Sequence, residues 1–167
     1  MAATFQWSQS YGATPTIVDL GESGNLFNFK DIDDATPSNY TTYPITAGNN
    51  SYEVWLRAHF TGAFNKVDNL QFWQSTAFSP STGLTVEYKA NNVGSYVQPV
   101  KTTSTIATLS VPTSDPGTAN VSIGGSLAGS LTAPGYSDYI VLQLQTTTAA
   151  AAGDTSLATF SLQYDES

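Results

Sequence analysis

The sequence predicts an all-β chain: a single-domain antiparallel β-sandwich, jelly-roll-like, with long loops. Three observations carry this. Apolar and polar residues alternate with a period of two in run after run. Clusters of Gly, Pro, Asn, Asp and Ser separate the runs. No segment keeps a 3.6-residue apolar period over three turns. Short alternating runs joined by turn signals are what a sandwich or barrel requires.

The clearest run is "SYEVWLRAHFTG", residues 51–62. Tyr52, Val54, Leu56, Ala58 and Phe60 share one face, and Glu53, Trp55, Arg57, His59 and Thr61 the other. That pattern suits a strand with one face on a core. "NLQFWQS" (69–75) follows with Leu70 and Phe72 inward and Trp73 outward, then "GLTVEYKA" (83–90) with Leu84, Val86, Tyr88 and Ala90 inward. Weaker runs lie at 4–9, 16–20 and 25–29 before them, and at 103–111, 119–123 and 125–132 after them. "GESGN", "ATPSN", "AGNN", "SPSTG", "PTSDPG" and "APG" supply the turns.

Near the end, "TTTAAAAGD" sits between two alternating runs, 138–146 and 155–164. Alanine favours helix, but the gap is too short to hold one alone and its threonines oppose it. The expectation is a long hairpin loop between two paired strands, with at most one helical turn across the alanines and Gly153 and Asp154 returning the chain.

A chain of 167 residues favours one domain, 1–167. Cysteine is absent, which removes disulfides and thiolate metal sites. Charged residues make up only 11%, against about 25% in ordinary domains. There are 23 Thr and 19 Ser, so polarity comes from neutral hydroxyls. Aromatics at 12% provide core material that a disordered stalk lacks. The net charge is −8, and Lys30, Arg57, Lys66, Lys89 and Lys101 are scattered. Nucleic acid and anionic membranes need clustered cations, so neither is an expected partner. The first residues, "MAATFQWSQSYG", lack a basic start and an apolar core, so no secretory signal is expected. The three Asn-X-Ser/Thr sequons, at Asn39, Asn49 and Asn120, are discounted on the same ground.

Candidate chemistry is sparse. His59 is the single histidine, so neither a triad nor a His-rich metal site has its partners; it reads as a surface or interface residue beside Arg57. Asp31, Asp33 and Asp34 form an acidic cluster, the weak candidates for a metal. An EF-hand counted from Asp31 would need Gly at 36 and Glu at 42, where Thr36 and Thr42 stand. The alternative is an acidic turn entering an ordered loop. Glu53 and Glu87 are placed on outer strand faces, where carboxylates are solvated or cross-strand paired rather than catalytic. Neither an enzyme nor a cofactor is expected. Trp55 and Trp73 are placed on outer faces of adjacent strands. Three readings stand: a protein interface, a second core under a covered face, or a sugar-stacking platform. With Arg57 and His59 they are the interaction candidates. From 90 to 164 the charged residues are only Lys101, Asp115, Asp138 and Asp154. Sheet edges are usually guarded by charge, so the expectation is obligate association, most simply a homo-oligomer.

"NSYEVWLRAHFTGAFNKVDNLQFW" (50–73) and the closing "YIVLQLQ…LATFSLQYDE" resemble small β-rich virion proteins of tailed bacteriophages, most of all capsid decoration (cement) proteins. The resemblance implies a homotrimer on the capsid exterior, assembled in the host cytoplasm. Its partner would be the major capsid protein, and its function to stabilise the shell by bridging neighbouring subunits. No site residue transfers, because the resemblance has no diagnostic motif. The alternative is a receptor- or carbohydrate-binding sandwich of a tail fibre or adhesin, with Trp55, Trp73, Tyr40, Tyr43 and Tyr96 binding. A small-virus capsid jelly roll is a third reading, opposed by the short chain and the missing basic arm.

Overall fold

The computed structural model of the protein describes residues 2–24, 26–151, 153 and 155–167. The alternating runs form β1 (Ala3–Tyr11), β2 (Thr16–Gly21), β3 (Val54–Gly62), β4 (Val67–Thr76) and β5 (Leu84–Lys89). Two short pieces, β6 (Leu109–Ser110) and β7 (Gly135–Tyr136), precede β8 (Ile140–Thr146) and β9 (Thr159–Glu166). One 3-10 turn, Pro37–Thr41, starts where proline presets the backbone. The protein is all-β, as the periodicity predicts, and every strand pairing is antiparallel. Among the described residues no helix is long and apolar enough to cross a membrane.

The large sheet runs β2-β1-β3-β8-β5-β6, with β7 also on β3; the small sheet is β4-β9. Aromatic contacts join the two. Trp7 meets Phe72 edge-on at 6.0 Å, Phe60 meets Tyr164 at 4.8 Å, and Phe72 stacks on Phe160 at 5.8 Å. Val54, Leu56, Ala58 and Phe60 lie in this core as their spacing predicts. Such aromatic pairs add about 0.5–1.5 kcal/mol each beyond area burial.

Several expected elements differ. Residues 26–29 run as irregular chain, with Phe29 buried in the core; Asn25, the start of that predicted strand, lies outside the described residues. The run 103–111 contributes only β6, and 119–132 contributes isolated bridges. The reason is what this last segment covers. It lines the outer edge of β4 residue by residue: Val67 and Leu131 exchange backbone bonds, and Asn120 and Val121 donate to the Leu70 carbonyl. The Asn120 side chain then imitates a strand, accepting from Phe72 N at 2.8 Å and donating to Phe72 O at 2.8 Å.

The closing hairpin is also corrected. β8 belongs to the large sheet and β9 to the small one, so the "TTTAAAAGD" stretch crosses between sheets. Both sides of β8 are already taken, by β3 and β5, which leaves β9 no place beside it. The alanines hold a single turn, Ala150 N donating to Thr147 O, and Thr147 N donates to the Gly83 carbonyl. Gly83 is required there: its φ is +75°, and a Cβ would lie 2.6 Å from Ala150 N. Asp154 lies outside the described residues. Likewise β3 and β4 are in different sheets, so Trp55 and Trp73 are not on adjacent strands.

Burial differs across the small sheet. Phe72 of β4 is fully buried, whereas Phe160 of β9 packs on the same core but remains partly exposed. Phe72→Ala is expected to cost about 3–5 kcal/mol, and Phe160→Ala distinctly less. Urea unfolding with unchanged m-values checks this; equal losses would show that the β9 side of the core is closed.

Candidate functional site

The face of β3 opposite the main core is not open. Trp55 is 0% exposed and packs with Tyr139, Val141, Val93 and Ala107 in a second, smaller core. The segment 91–107 lies over this face. Trp55 is therefore corrected from outward-facing candidate to core residue, the second-core reading of the three. Its ring meets Tyr96 at 5.2 Å and Tyr139 at 5.3 Å, both edge-on.

Glu53, expected to be solvated, is 4% exposed. Its carboxylate accepts from Trp55 Nε1 at 3.0 Å, from the Ser104 hydroxyl, and from Val100 N at 3.4 Å. Gln143, fully buried, accepts from Ser104 N at 2.9 Å and donates to the carbonyls of Ser51 and Thr102. These two side chains fasten the covering segment to the sheet.

Beside that cover, β7 and β8 form one interrupted strand along β3. Leu56 pairs with Ile140 and His59 with Tyr136, so Arg57 and Ala58 face the three residues Ser137, Asp138 and Tyr139. This is a β-bulge. Tyr136 and Tyr139, three apart, would point to opposite faces of a regular strand; the bulge brings both onto Arg57. The guanidinium lies 4.7 Å from each ring centroid, and its Nε donates to Ser137 O at 2.7 Å. His59 also stacks on Tyr136 at 4.1 Å and meets Gln6 at 3.0 Å and Asp19 at 3.2 Å. Arg57 and His59, read from sequence as neighbours, are thus joined into one ladder of planar groups. Trp73 is not part of it: it is half-buried on the outer face of the small sheet.

The acidic cluster disperses onto separate partners, which corrects Asp31, Asp33 and Asp34 as a metal site. Asp31 pairs with Lys101 at 2.6 Å. Asp33 accepts from Gly12 N at 2.8 Å. Asp34 pairs with the buried Lys30 at 2.5 Å and accepts from Asn39 and Thr36 N. Among the described residues no three His, Asp or Glu side chains converge on one point. Burial raises the Asp33 carboxyl above its ordinary value, only partly offset by Gly12. Burial also acts on Asp34, but the bonds from Lys30 and Asn39 outweigh it and hold that carboxyl below its ordinary value.

An apolar cavity of about 1070 Å³ opens between the sheets where the small one ends, lined by Phe27, Phe29, Phe78, Leu84, Leu144 and Phe160. Sequence reading missed it, because the phenylalanines come from three separate segments. It also missed Glu53, Gln143, Tyr136 and Tyr139 as organising residues. One signal was present: in "YIVLQL" both faces of the strand are apolar apart from Gln143, as happens when both are covered.

Glu53→Ala would strand two buried donors, Trp55 Nε1 and the Ser104 hydroxyl, and is expected to cost about 3 kcal/mol, against a change within about 0.5 kcal/mol for Glu87→Ala; chemical denaturation separates them. For acid the signs are opposite at the two aspartates. The depressed Asp34 contributes stability that is present above the ordinary aspartate value of 3.8 and lost as pH falls through its folded value. The raised Asp33 contributes stability at low pH that is lost as pH rises through its folded value. Asp34→Asn should therefore destabilise more than Asp33→Asn at pH 7, with the gap narrowing toward pH ~3; thermal melts across that range measure it. No family model, curated protein or solved structure matches this chain.

Proposed function

We propose that the chain is a structural virion protein that decorates the outside of a phage capsid and stabilises the shell by bridging neighbouring capsid subunits. It works as a homo-oligomer, a trimer, assembled in the host cytoplasm, with the major capsid protein as its partner. The observation that carries this reading is a surface poor in charge with large apolar groups turned outward. Ile17 is 50% exposed, Val97 52%, Leu109 52% and Leu157 67%. Ile17 and Leu109 sit on the two edge strands of the large sheet. Scattered apolar side chains are ordinary on any surface; where few charges stand among them they favour subunit contacts.

The cations support the same reading. Lys30, Lys66 and Lys101 are in ion pairs and Arg57 lies between two tyrosine rings. Little remains to track a phosphate backbone. The carboxylates Glu53, Asp33 and Asp34, buried or half-buried, already hold structural donors. A decoration subunit acts mechanically, and many modest contacts add up around a shell. The carbohydrate-binding alternative loses its two-tryptophan platform, since Trp55 is buried and Trp73 stands alone on the other sheet.

Electron microscopy of virions is expected to find the protein on the head surface, and heads stripped of it by mild chaotrope should break at lower temperature. Sedimentation at micromolar concentration should give three times the 17.7 kDa chain mass. A tail-tip location, or stripped heads as stable as intact ones, overturns the reading.

A further inference from the structure

The two edges of the small sheet are treated differently. The outer edge of β4 is bonded by Leu131, Asn120, Val121 and Pro112. Along Thr159–Tyr164 of β9, no described residue supplies a backbone partner on the outer side. The core shows the same gap. Val67, Leu70 and Phe72 of β4 are buried, while Phe160, Leu162 and Tyr164, which face the same core from β9, stay partly exposed. Phe27 lies beside this edge, 5.6 Å from Phe160. The other candidate edges are guarded in the usual ways: β6 has two residues, and β2 carries Asp19. Residues 159–164, "TFSLQY", have no charge and no proline.

Charge identifies what fits there. The Tyr164 end carries Asp165 and Glu166, and Glu22 lies close by. Burial, then the charges of Glu166 and Glu22, raises the Tyr164 phenol above its ordinary value. Lys66, whose backbone bonds to Ser167 beside this end, is paired with Asp68. A second copy of this chain would bring another −8 and the same acidic end.

We propose that β9 accepts an added strand from another protein: an extended segment with alternating apolar residues and with Lys or Arg at the end lying beside Tyr164–Glu166. Main-chain bonds to the β9 edge supply affinity, and the apolar side chains cover Phe27, Phe160 and Leu162. The basic end answers the three acids and sets the direction. The inference goes beyond the virion reading and stands on the sheet alone, so either can fail without the other.

The test uses the full chain, isotope-labelled, titrated with two synthetic nine-residue peptides of alternating Thr and Val, with a Lys pair at one terminus or the other. The expected result is slowed exchange at alternate amides of residues 159–164 on adding one of the two. N-methylation of alternate peptide nitrogens should weaken binding at least tenfold, because several edge bonds are lost together. Replacing Lys by Glu should weaken it roughly fivefold at low salt. The double variant Glu22→Lys with Glu166→Lys, both exposed sites, should prefer the Glu peptide. No binding up to millimolar peptide, equal binding of the N-methylated peptide, or protection confined elsewhere overturns the proposal. So does a β9-mediated dimer in sedimentation, which would make a second copy the occupant.

Discussion

The second face of the large sheet depends on one buried arrangement, Glu53 and Gln143 holding residues 100–104. A loop lying over a sheet cannot pair with it as a strand does, so its peptide groups need other partners. Gln143 gives an acceptor to Ser104 N and donors to the carbonyls of Val100 and Thr102. Glu53 accepts the Ser104 hydroxyl, which itself accepts from Ile106 N and Ala107 N and turns the chain back. Each such group left bare would cost about 1–3 kcal/mol. With all of them met, Trp55, Tyr139 and Val141 can be buried. Arg57 then stands at the margin of the cover, where the bulge at Ser137–Tyr139 can close two rings on it.

A seven-stranded sheet against a two-stranded one cannot bury both its faces by sheet packing alone. The protein resolves this with irregular chain: 91–107 on one face, and residues 26–30 and 112–132 around the small sheet on the other. The 112–132 segment completes the β4 side because Asn120 substitutes for a strand's peptide group at Phe72. Among the described residues nothing comparable bonds the outer edge of β9, and its inward aromatics stay partly exposed. The cavity and the open edge are therefore two views of one geometric deficit.

Strand identity was legible in the sequence because a period of two requires only local alternation. β1, β3, β4, β5, β8 and β9 all lie where their alternation places them. Partnership was not legible. That β8 and β9 belong to different sheets follows from β3 and β5 already flanking β8, a fact about distant segments. The same limit explains Trp55: its alternation gives the correct face, but whether that face meets water depends on where 91–107 folds. The three aspartates look like a cluster because they are close in sequence; the backbone sends each to a different donor, Lys101, Gly12 N and Lys30. Tyr136 and Tyr139 could not be put together from their spacing, since only the bulge reverses the parity of the strand.

The abundance of serine and threonine follows from this architecture. Long irregular covers expose many peptide groups that no ladder satisfies, and short hydroxyl side chains bond to backbone at little entropic cost. Ser51, Ser104, Ser122 and Ser137 are all buried and each bonds to main chain. Neutral groups do here what charges do on many small domains, and four of the five cations are tied to acids or rings. Away from the acidic end of β9 much of the surface is hydroxyl and apolar, and contacts made there lose little by shedding water and counterions. Association through such a surface depends weakly on ionic strength, because Debye screening acts on charge pairs and not on apolar or hydroxyl contacts. An interface made of such groups would hold across widely different salt conditions, whereas a charge-paired interface of the same area would loosen as salt rises.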